Sequence, residues 1–515
     1  MKRKILWVDD EIDLLKAHII FLEKKGYNLT PVTNGPDAVS LIKEETFDAV
    51  LLDEMMPGMD GLSVLVEVKN LDPGLPVVMI TKSEEEQIMD DALGSRISDY
   101  LIKPVNPQQI FTTLKRLLDS KQLRRERVSR EFARQTGQNR LAVSSGLDHD
   151  GWAQMHASLS GWDLEIEEFN DPGLVQIHHD QKKEYRREFS KFVEQNYQSW
   201  IRGNGPVMSH NILDTYVAPR LRNDEKVYFL VIDCFQLDHW IAIEPKLEEL
   251  FTIDRKYYYS LLPTATPFCR NALFAGLLPS EIAAYFPDIW ENTGHDETSM
   301  NSHEPELLEM YLERNGIRLE TKPVYEKIFN IDDSQSLYKK LGSMRPNRLI
   351  SIVYNFIDLL SHHRSDSDIL MEIAPDEAAF RSLTRAWFDH SVLLDILKYI
   401  VTEGATLIVT TDHGSIIGER SSIVRGDRTT STNVRYKYGK HLKCQPDEVL
   451  LVDNPDSYGL PSLGLGTNYL FAKEDFCLVY QNNYRQYEKI FKNTIQHGGI
   501  SMEEMILPIG VLTPR

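Results

Sequence analysis

The sequence predicts an α/β protein with two separate sheets joined by a helical connector. Short apolar runs alternate with helical patterns over the first 118 residues, and the alternation returns with longer runs after residue 216. The stretch between them has helical spacing only. Strands in strict alternation with helices imply a parallel sheet covered on both faces. A chain of 515 residues exceeds what one hydrophobic core holds. The expected boundaries are therefore 1–118, a connector over 119–215, and 216–515.

The first element is "KILWVD", followed by "DLLKAHIIFLEKK", "NLTPV", "PDAVSLIKEE" and "DAVLLD". The series continues through "VLVEVKN", "PVVMIT", an acidic helix near 84–93, "DYLIK" and a last helix from 107. That is a doubly wound (βα)5 pattern, and in such sheets the chemistry gathers at the carboxyl ends of the strands. Asp9 and Asp10 end the first strand, Asp53 the third, Thr81 the fourth and Lys103 the fifth. Three carboxylates in one crevice repel unless a hard cation sits among them, and Mg²⁺ suits. A carboxylate so neutralised can accept a phosphoryl group, with Lys103 as counter-charge and Thr81 as hydroxyl donor to the phosphoryl oxygens. An Asp at a strand end is commonly a helix N-cap, and a lone Lys is commonly a surface charge. Five such residues in concert outweigh those readings.

Over its whole length this region resembles the CheY-like receiver domain of two-component response regulators. The resemblance places the phosphoacceptor of "VLLDEMMPGMDG" at Asp53, with Met55 offering its backbone carbonyl to Mg²⁺. It makes Asp9 and Asp10 of "VDD" the acidic pair, and Thr81 of "MIT" the switch hydroxyl. Tyr100, Lys103 and a cis-preceded Pro104 come from "DYLIKP".

The last receiver helix has no stop signal. "IFTTLKRLLDSKQLRRERVSREFARQ" keeps apolar spacing without Gly or Pro until Gly137. Residues 115–134 hold eight Lys/Arg against three Asp/Glu, which reads either as a solvated face or as a rod joining the two halves. Residues 150–200 read as amphipathic helices. His178 and His179 lie among them as incidental surface histidines.

In the last 300 residues "VYFLVID" (227–233), "RLISIVYNFID" (348–358) and "ATLIVTTD" (405–412) read as buried strands, each ending in Asp. A long helix is expected over "FRSLTRAWFDHSVLLDILKYIVTEG". His362 lies four residues after Asp358, so one helical turn puts both on one face. Asp412 is followed directly by His413 and Gly414, and "QHGG" supplies His497. Two Asp/His sets suit Zn²⁺, which takes N and O ligands. Between the first two strands lies "LLPTATPFCRNALFAGLLPSEI". There Thr264 or Thr266 is either an N-cap or a hydroxyl nucleophile at a helix N-terminus.

This segment is similar to the alkaline-phosphatase superfamily, in particular its nucleotide pyrophosphatase/phosphodiesterase branch and the PglZ domains. The match of "PTATPFCRNALFAG" to the Pro-Thr-x-Thr pattern of that branch picks Thr266 as nucleophile. The resemblance implies one zinc held by Asp358, His362 and His497, and a second by Asp233, Asp412 and His413. It also implies two-metal in-line phosphoryl displacement. The Phe-Pro-Asn of that branch is replaced here by Pro267-Phe268-Cys269, so substrate contacts are expected to differ.

The segment "VRGDRTTSTNVRYKYGK" (424–440) holds five Lys/Arg against one Asp and reads as an exposed basic loop or a wall for substrate phosphates. Candidate contacts are Arg425, Arg428, Arg435 and Lys437, with Tyr436 and Tyr438 as faces for bases, and Arg270 and Asn271 after the nucleophile.

A receiver joined by helices to a PglZ domain is similar to the PorX-type regulators of the type IX secretion system in Bacteroidetes. That resemblance implies a sensor histidine kinase partner, a homodimer on phosphorylation, and phosphodiester hydrolysis of cyclic or linear oligonucleotides. A non-enzymatic regulator docking a sigma factor or secretion component, and a phosphomonoesterase, are the alternatives.

Bulk properties bound these readings. With 57 basic against 77 acidic residues the net charge is −20, which opposes binding of duplex DNA, since phosphate contacts supply most non-specific affinity. Cys234, Cys269, Cys444 and Cys477 show no metal or redox spacing, as expected of reduced thiols in a cytoplasmic protein. The opening "MKRKILWVDDEIDLL" is cut by three acids before it reaches secretory length. No run approaches the ~20 apolar residues that membrane insertion requires.

Overall fold

In the first unit the strands Ala49–Asp53 and Val77–Thr81 are buried along their whole length, which is why they read as apolar runs up to their last residue. The computed structural model describes residues 3–82, 97–169, 171–287, 301–426, 433–462, 464, 466–480 and 490–515. For residues 120–124, 365, 366 and 368 it describes the backbone alone. The acidic helix expected near 84–93 and Arg428 lie outside the described residues. The chain divides into two units, Met1–Gln135 and Thr136–Arg515.

The first unit carries β1 (Arg3–Val8), α1 (Lys16–Lys24), β2 (Tyr27–Val32), α2 (Gly35–Glu44), β3 (Ala49–Asp53), α3 (Gly61–Leu71), β4 (Val77–Thr81) and β5 (Asp99–Ile102). The strands form one parallel sheet in the order β2-β1-β3-β4-β5. Successive side chains leave a strand on opposite faces. Leu6 and Val8 therefore join one core with Val50, Leu52 and Val77, while Ile5 and Trp7 join the other with Leu51, Val78 and Ile80. The second core is closed by Ile110, Leu114 and Leu118 of α4 (Pro107–Ser145). Side-chain oxygens of Asn34 and Asp60 accept the backbone N–H of Asp37 and Ser63, capping α2 and α3. Helix α4 runs through Gly137 and ends at Ser145. A single helical Gly costs about 1 kcal/mol against Ala, too little to end a helix without a Pro or a cap beside it.

In the second unit the end of α4 is followed by α5 (His149–Phe169) and α6 (Pro172–Trp200). Tyr185, Phe189, Val193, Tyr197 and Trp200 recur at three and four residues, and that stripe is buried against the sheet that follows. Phe189 and Trp200 pack on Tyr259, and the Tyr197 hydroxyl accepts the backbone N–H of Leu262 at 2.8 Å. The part of the expected connector that lies in the second unit thus shares one core with the C-terminal sheet.

That sheet is built from β6 (Val227–Ile232), β7 (Phe251–Tyr259), β8 (Val324–Ile328), β9 (Leu349–Tyr354) and β10 (Thr406–Thr410), with β18 (Ile506–Pro514). Its order is β7-β18-β10-β6-β9-β8. Strands β10, β6, β9 and β8 run parallel, and β18 is antiparallel to both its neighbours. Among its helices are α7 (Leu237–Glu248), α8 (Thr266–Ala275), α9 (Glu304–Arg314), α10 (Ile331–Lys340), α11 (Phe356–Asp366), α12 (Glu377–His390) and α13 (Val392–Glu403). Small strand pairs join β11 (Ile416–Ile417) to β17 (Ile495–Gln496) and β12 (Arg420–Val424) to β16 (Phe476–Tyr480). A third small sheet orders β13 (Tyr436–Lys440), β15 (Thr467–Ala472) and β14 (Val449–Val452).

Two expected elements are divided. The run 348–358 stops as a strand at Tyr354, and Asp358 lies in the first turn of α11. Apolar residues resume at Phe356 and Ile357 with only Asn355 between, so composition marks the boundary weakly. The long helix expected over 380–404 is two helices, parted at Ser391, whose ψ of 154° is extended. Among the described residues no helix is long and apolar enough to cross a membrane.

Candidate metal centres and phosphorylation site

In the first unit, parallel pairing of β1 with β3 and of β3 with β4 brings their carboxyl ends side by side. Asp9, Asp10 and Asp53 each offer a carboxylate oxygen, and these atoms lie within 4.8 Å of one another. Lys103 Nζ is 2.9 Å from Asp53 Oδ1 and 3.1 Å from Asp9 Oδ2, following a strand end and preceding a cis Lys103–Pro104 peptide. Burial pushes the Asp53 carboxyl up, against the pull of Lys103. Burial opposes the charge on Lys103, but Asp53 and Asp9 raise its pKa overall. The Thr81 hydroxyl donates to Glu54 Oε2 at 2.7 Å, and Tyr100 is 40% exposed. The Met55 side chain faces solvent.

In the second unit, β10 pairs with β6 so that Thr410 lies opposite Val231. Two residues further on, Asp412 meets Asp233. Asp233, Asp412 and His413 form one set whose ligand atoms lie within 4.8 Å of each other, all three buried. Asp358, His362 and His497 form a second, more open set. Asp358 Oδ1 is 3.5 Å from His362 Nε2 and 3.7 Å from His497 Nε2. The sets adjoin: the His413 and His497 rings stack at 4.2 Å between centroids.

The donor atoms fit metal ions. Among the described residues Asp233 Oδ1 and Asp412 Oδ2 are buried without a hydrogen-bond partner, a costly condition that a cation relieves. Burial, and then the Asp233 carboxylate alongside, push Asp412 up to about 6. Asp233 is drawn down despite its burial, by Arg270 and His413. Burial, then His413 and His362, hold His497 well below the usual imidazole range, which leaves it in the neutral form that ligates. Nδ1 of His413 lies 3.0 Å from the Gly414 carbonyl, which can only accept. Nδ1 therefore carries a proton, and in the neutral imidazole Nε2 presents its lone pair toward the site. Two adjacent three-residue sets of imidazole and carboxylate donors suit divalent metal ions that take N and O ligands.

Thr266 is the first residue of α8, and its Oγ1 lies 2.9 Å from His413 Nε2, to which it donates in this tautomer. Thr264 is engaged elsewhere: its hydroxyl donates to Gly499 O and accepts from Gly498 N, both at 3.0 Å. Of the two candidate threonines, the one beside the metal set is Thr266.

The residues expected to meet substrate fare less uniformly. Arg270 reaches the site, but its guanidinium is consumed by Asp233 (2.7 Å), Asn355 (3.0 Å) and Glu304 (2.6 Å), so it orients a metal-set carboxylate. Asn271 is fully buried, with its amide on the Pro267 carbonyl one turn back. Arg435 is wholly buried and paired with Glu504, which corrects its expected place on a substrate wall. Lys437 is corrected likewise. Its ammonium sits on the Asn433 carbonyl and over the Tyr480 ring, and burial lowers its pKa to about 7. Tyr436 is buried edge-on to Phe268, while Tyr438 stays half-buried. Arg425 is exposed, its backbone paired with Lys443. Glu304, Asn355 and Glu504 carry no motif and were not singled out from the sequence.

Residues 5–115 match the response regulator receiver domain, and residues 122–201 the PorX response regulator linker domain. Residues 212–512, more than half of the chain, match the BREX system PglZ alkaline phosphatase-like domain. The transcriptional regulatory protein ResD of Bacillus subtilis (strain 168) is 32% identical over 149 residues, 28% of this chain and 60% of ResD. ZraR of Escherichia coli (strain K12) is 36% identical over 114 residues, 22% of this chain and 26% of ZraR. The chain thus spans less than two thirds of the length of either relative. A CheY-like receiver domain protein from Methanospirillum hungatei JF-1 is 30% identical, covering 23% of this chain and 96% of that one, with a TM-score of 0.22. A receiver implies a sensor histidine kinase as its partner and binds Mg²⁺, and alkaline phosphatase-like domains are metalloenzymes. With receiver, linker and phosphatase-like domain following one another in a single polypeptide, the chain belongs to the PorX-type response regulators.

Proposed function

We propose that the chain is a two-component regulator whose output is zinc-dependent phosphodiester hydrolysis, with Asp53 as phosphoacceptor and Thr266 as nucleophile. The observation that carries the reading is Thr266 Oγ1 at a helix N-terminus, 2.9 Å from His413 Nε2 and beside two adjoining metal sets. In this reading the domains are 1–118, 119–215 and 216–515. One zinc is held by Asp358, His362 and His497, and the other by Asp233, Asp412 and His413. Mg²⁺ is held by Asp9, Asp10, Asp53 and the Met55 carbonyl.

Two bound zinc ions would neutralise the phosphoryl charge, lower the proton affinity of the attacking oxygen and hold the leaving oxygen. Thr266 Oγ attacks phosphorus and its proton passes to solvent. The bond from phosphorus to the leaving alcohol breaks, and water then cleaves the phosphothreonine to restore the hydroxyl. Helix α8 aims its positive end at the phosphoryl group. Arg270 keeps Asp233 ionised and oriented through their 2.7 Å contact.

The substrate class is cyclic or linear oligonucleotide, and the setting is cytoplasmic control of type IX secretion, supported by the match to the PorX linker domain. The zinc-loaded full chain should hydrolyse bis-p-nitrophenyl phosphate and short oligonucleotides, lose that activity in a chelator, and regain it with Zn²⁺. A chain that binds two zinc ions and cleaves neither substrate would sink the enzymatic reading in favour of docking to a sigma factor or secretion component. Faster turnover of monoesters would make it a phosphomonoesterase.

Phosphorylation is proposed to draw Thr81 from Glu54 toward Asp53, with Tyr100 following, and to create a homodimer. Beryllofluoride should double the sedimenting mass of the full chain, and an unchanged mass would refute the dimer.

A further inference from the structure

Glu504 lies in α14 (Met502–Met505), a single turn between the His497 loop and β18. Its side-chain Oε1 accepts the backbone N–H of Gly499 at 2.8 Å, two residues after His497. Its backbone carbonyl accepts the N–H of Gly414 at 3.2 Å, the residue after His413. One residue therefore holds both histidine-bearing turns, one with its side chain and the other with its main chain.

The contact is too close for any side chain on either turn. A Cβ on Gly414 would lie 1.9 Å from the Glu503 carbonyl oxygen, and one on Gly499 would lie 2.5 Å from both Ala472 O and Arg435 Nη2. The Glu504 carboxylate is itself locked. Arg435 Nη2 is 2.5 Å from Oε2 and its Nε is 3.1 Å from Oε1, both side chains being fully buried. Arg435 in turn donates to the carbonyls of Phe476 and Glu474, the latter at 2.8 Å. A buried ion pair that only fills space can be exchanged for apolar residues at little cost. This one cannot, because its carboxylate also satisfies the amide of a ligand-bearing turn.

We propose that Glu504, braced by Arg435, is the positioning residue that sets the separation of His413 from His497, and so of the two metal sets. The proposal rests on the reading of those sets as metal centres. It predicts that disturbing Glu504 weakens both sites together, whereas loss of a ligand from one set acts first on that set.

The test is a zinc titration of the metal-free full chain against a chromophoric chelator, for wild type, Glu504→Gln and Glu403→Gln. Gln at 504 keeps an acceptor for Gly499 but loses the charge-assisted pairing with Arg435. Zinc affinity at both sites should fall about 10- to 100-fold, the scale on which groups behind metal ligands act. Glu403 is a comparable pair partner, held by Lys226 and Tyr228 at the far end of β6 from Asp233. Glu403→Gln should lower the melting temperature and leave both zinc affinities unchanged. Unchanged affinities in Glu504→Gln, or weakening of one site alone, would overturn the proposal while the metal-centre reading stands. A wild-type chain that takes up no zinc would overturn both. Should Glu504→Gln fail to fold, Arg435→Lys keeps a cation at the carboxylate but cannot brace the two carbonyls. The same joint weakening is expected there, and unchanged affinities would again refute the proposal.

Discussion

Replacing Thr266 by valine should lower hydrolysis of bis-p-nitrophenyl phosphate by about three orders of magnitude or more, with both zinc ions still bound. Valine has nearly the shape of threonine, so the packing of this buried position at the start of α8 is kept. What is lost is the oxygen 2.9 Å from His413 Nε2. One neutral hydrogen bond is worth about 1 kcal/mol of stability, so the melting temperature should move little. Thr264→Val is the informative partner. Its hydroxyl tethers Gly498 and Gly499, so its loss loosens the turn behind His497 and should reduce zinc affinity without removing a nucleophile. A phosphothreonine trapped by acid quench in wild type and absent from Thr266→Val would complete the assignment. Turnover in Thr266→Val within tenfold of wild type would remove Thr266 as nucleophile.

Much of the first unit was legible because buried parallel strands are apolar throughout, so a polar residue at a strand end stands out. Asp9, Asp53 and Thr81 are visible for that reason, and the sheet sets Asp9 and Asp53 beside Lys103, which follows a half-exposed strand. In the second unit the same logic located Asp233 and Asp412. It misplaced the end of β9, because Phe356 and Ile357 resume the apolar run while already belonging to a helix. The spacing of Asp358 and His362 survived that error, since it depended on a helical turn and not on a strand.

Charge in sequence says nothing of burial, and here the reading failed. Arg435 and Lys437 looked like a basic wall because their neighbours in sequence are basic. What buries them comes from far along the chain, Glu504 at Arg435 being 69 residues away and the Tyr480 ring lying under Lys437. Glu304, which takes Arg270, lies 34 residues from it and carries no pattern of its own. The aromatic stripe of α6 was legible as an amphipathic face. That the C-terminal sheet covers it was not, because periodicity identifies a buried face without identifying what buries it.

The same burial makes the metal-free second unit acid-labile, in two stages. His156 and His239 are buried and lie outside the metal sets. Burial lowers His156 to about 4 and His239 to about 3, from an ordinary value of 6.5. As pH falls below 6.5 the unfolded chain takes up protons that these folded imidazoles refuse. Stability therefore declines from 6.5 downward and levels only below each folded value, at about 3 to 5 kcal/mol per histidine. Glu503 adds a second stage. Its burial favours protonation, but Arg186 and then Lys182 hold it down at about 2, so its contribution is full above 4.5 and is lost as pH falls through 2. Asp163, lowered chiefly by Lys182 against its own burial, acts in the same direction. The Arg186–Glu503 contact of 2.8 Å joins α6 to the turn beside Glu504, so the acid end of this range weakens the hold of α6 on the metal-site turns. Thermal midpoints of the metal-free chain between pH 7.5 and 4 should fall steeply in wild type and less steeply in His156→Leu. Among the described residues His156 Nε2 has no hydrogen-bond partner to lose in that exchange. Identical slopes would show that His156 is already protonated in the folded chain, and the first stage would then need another source.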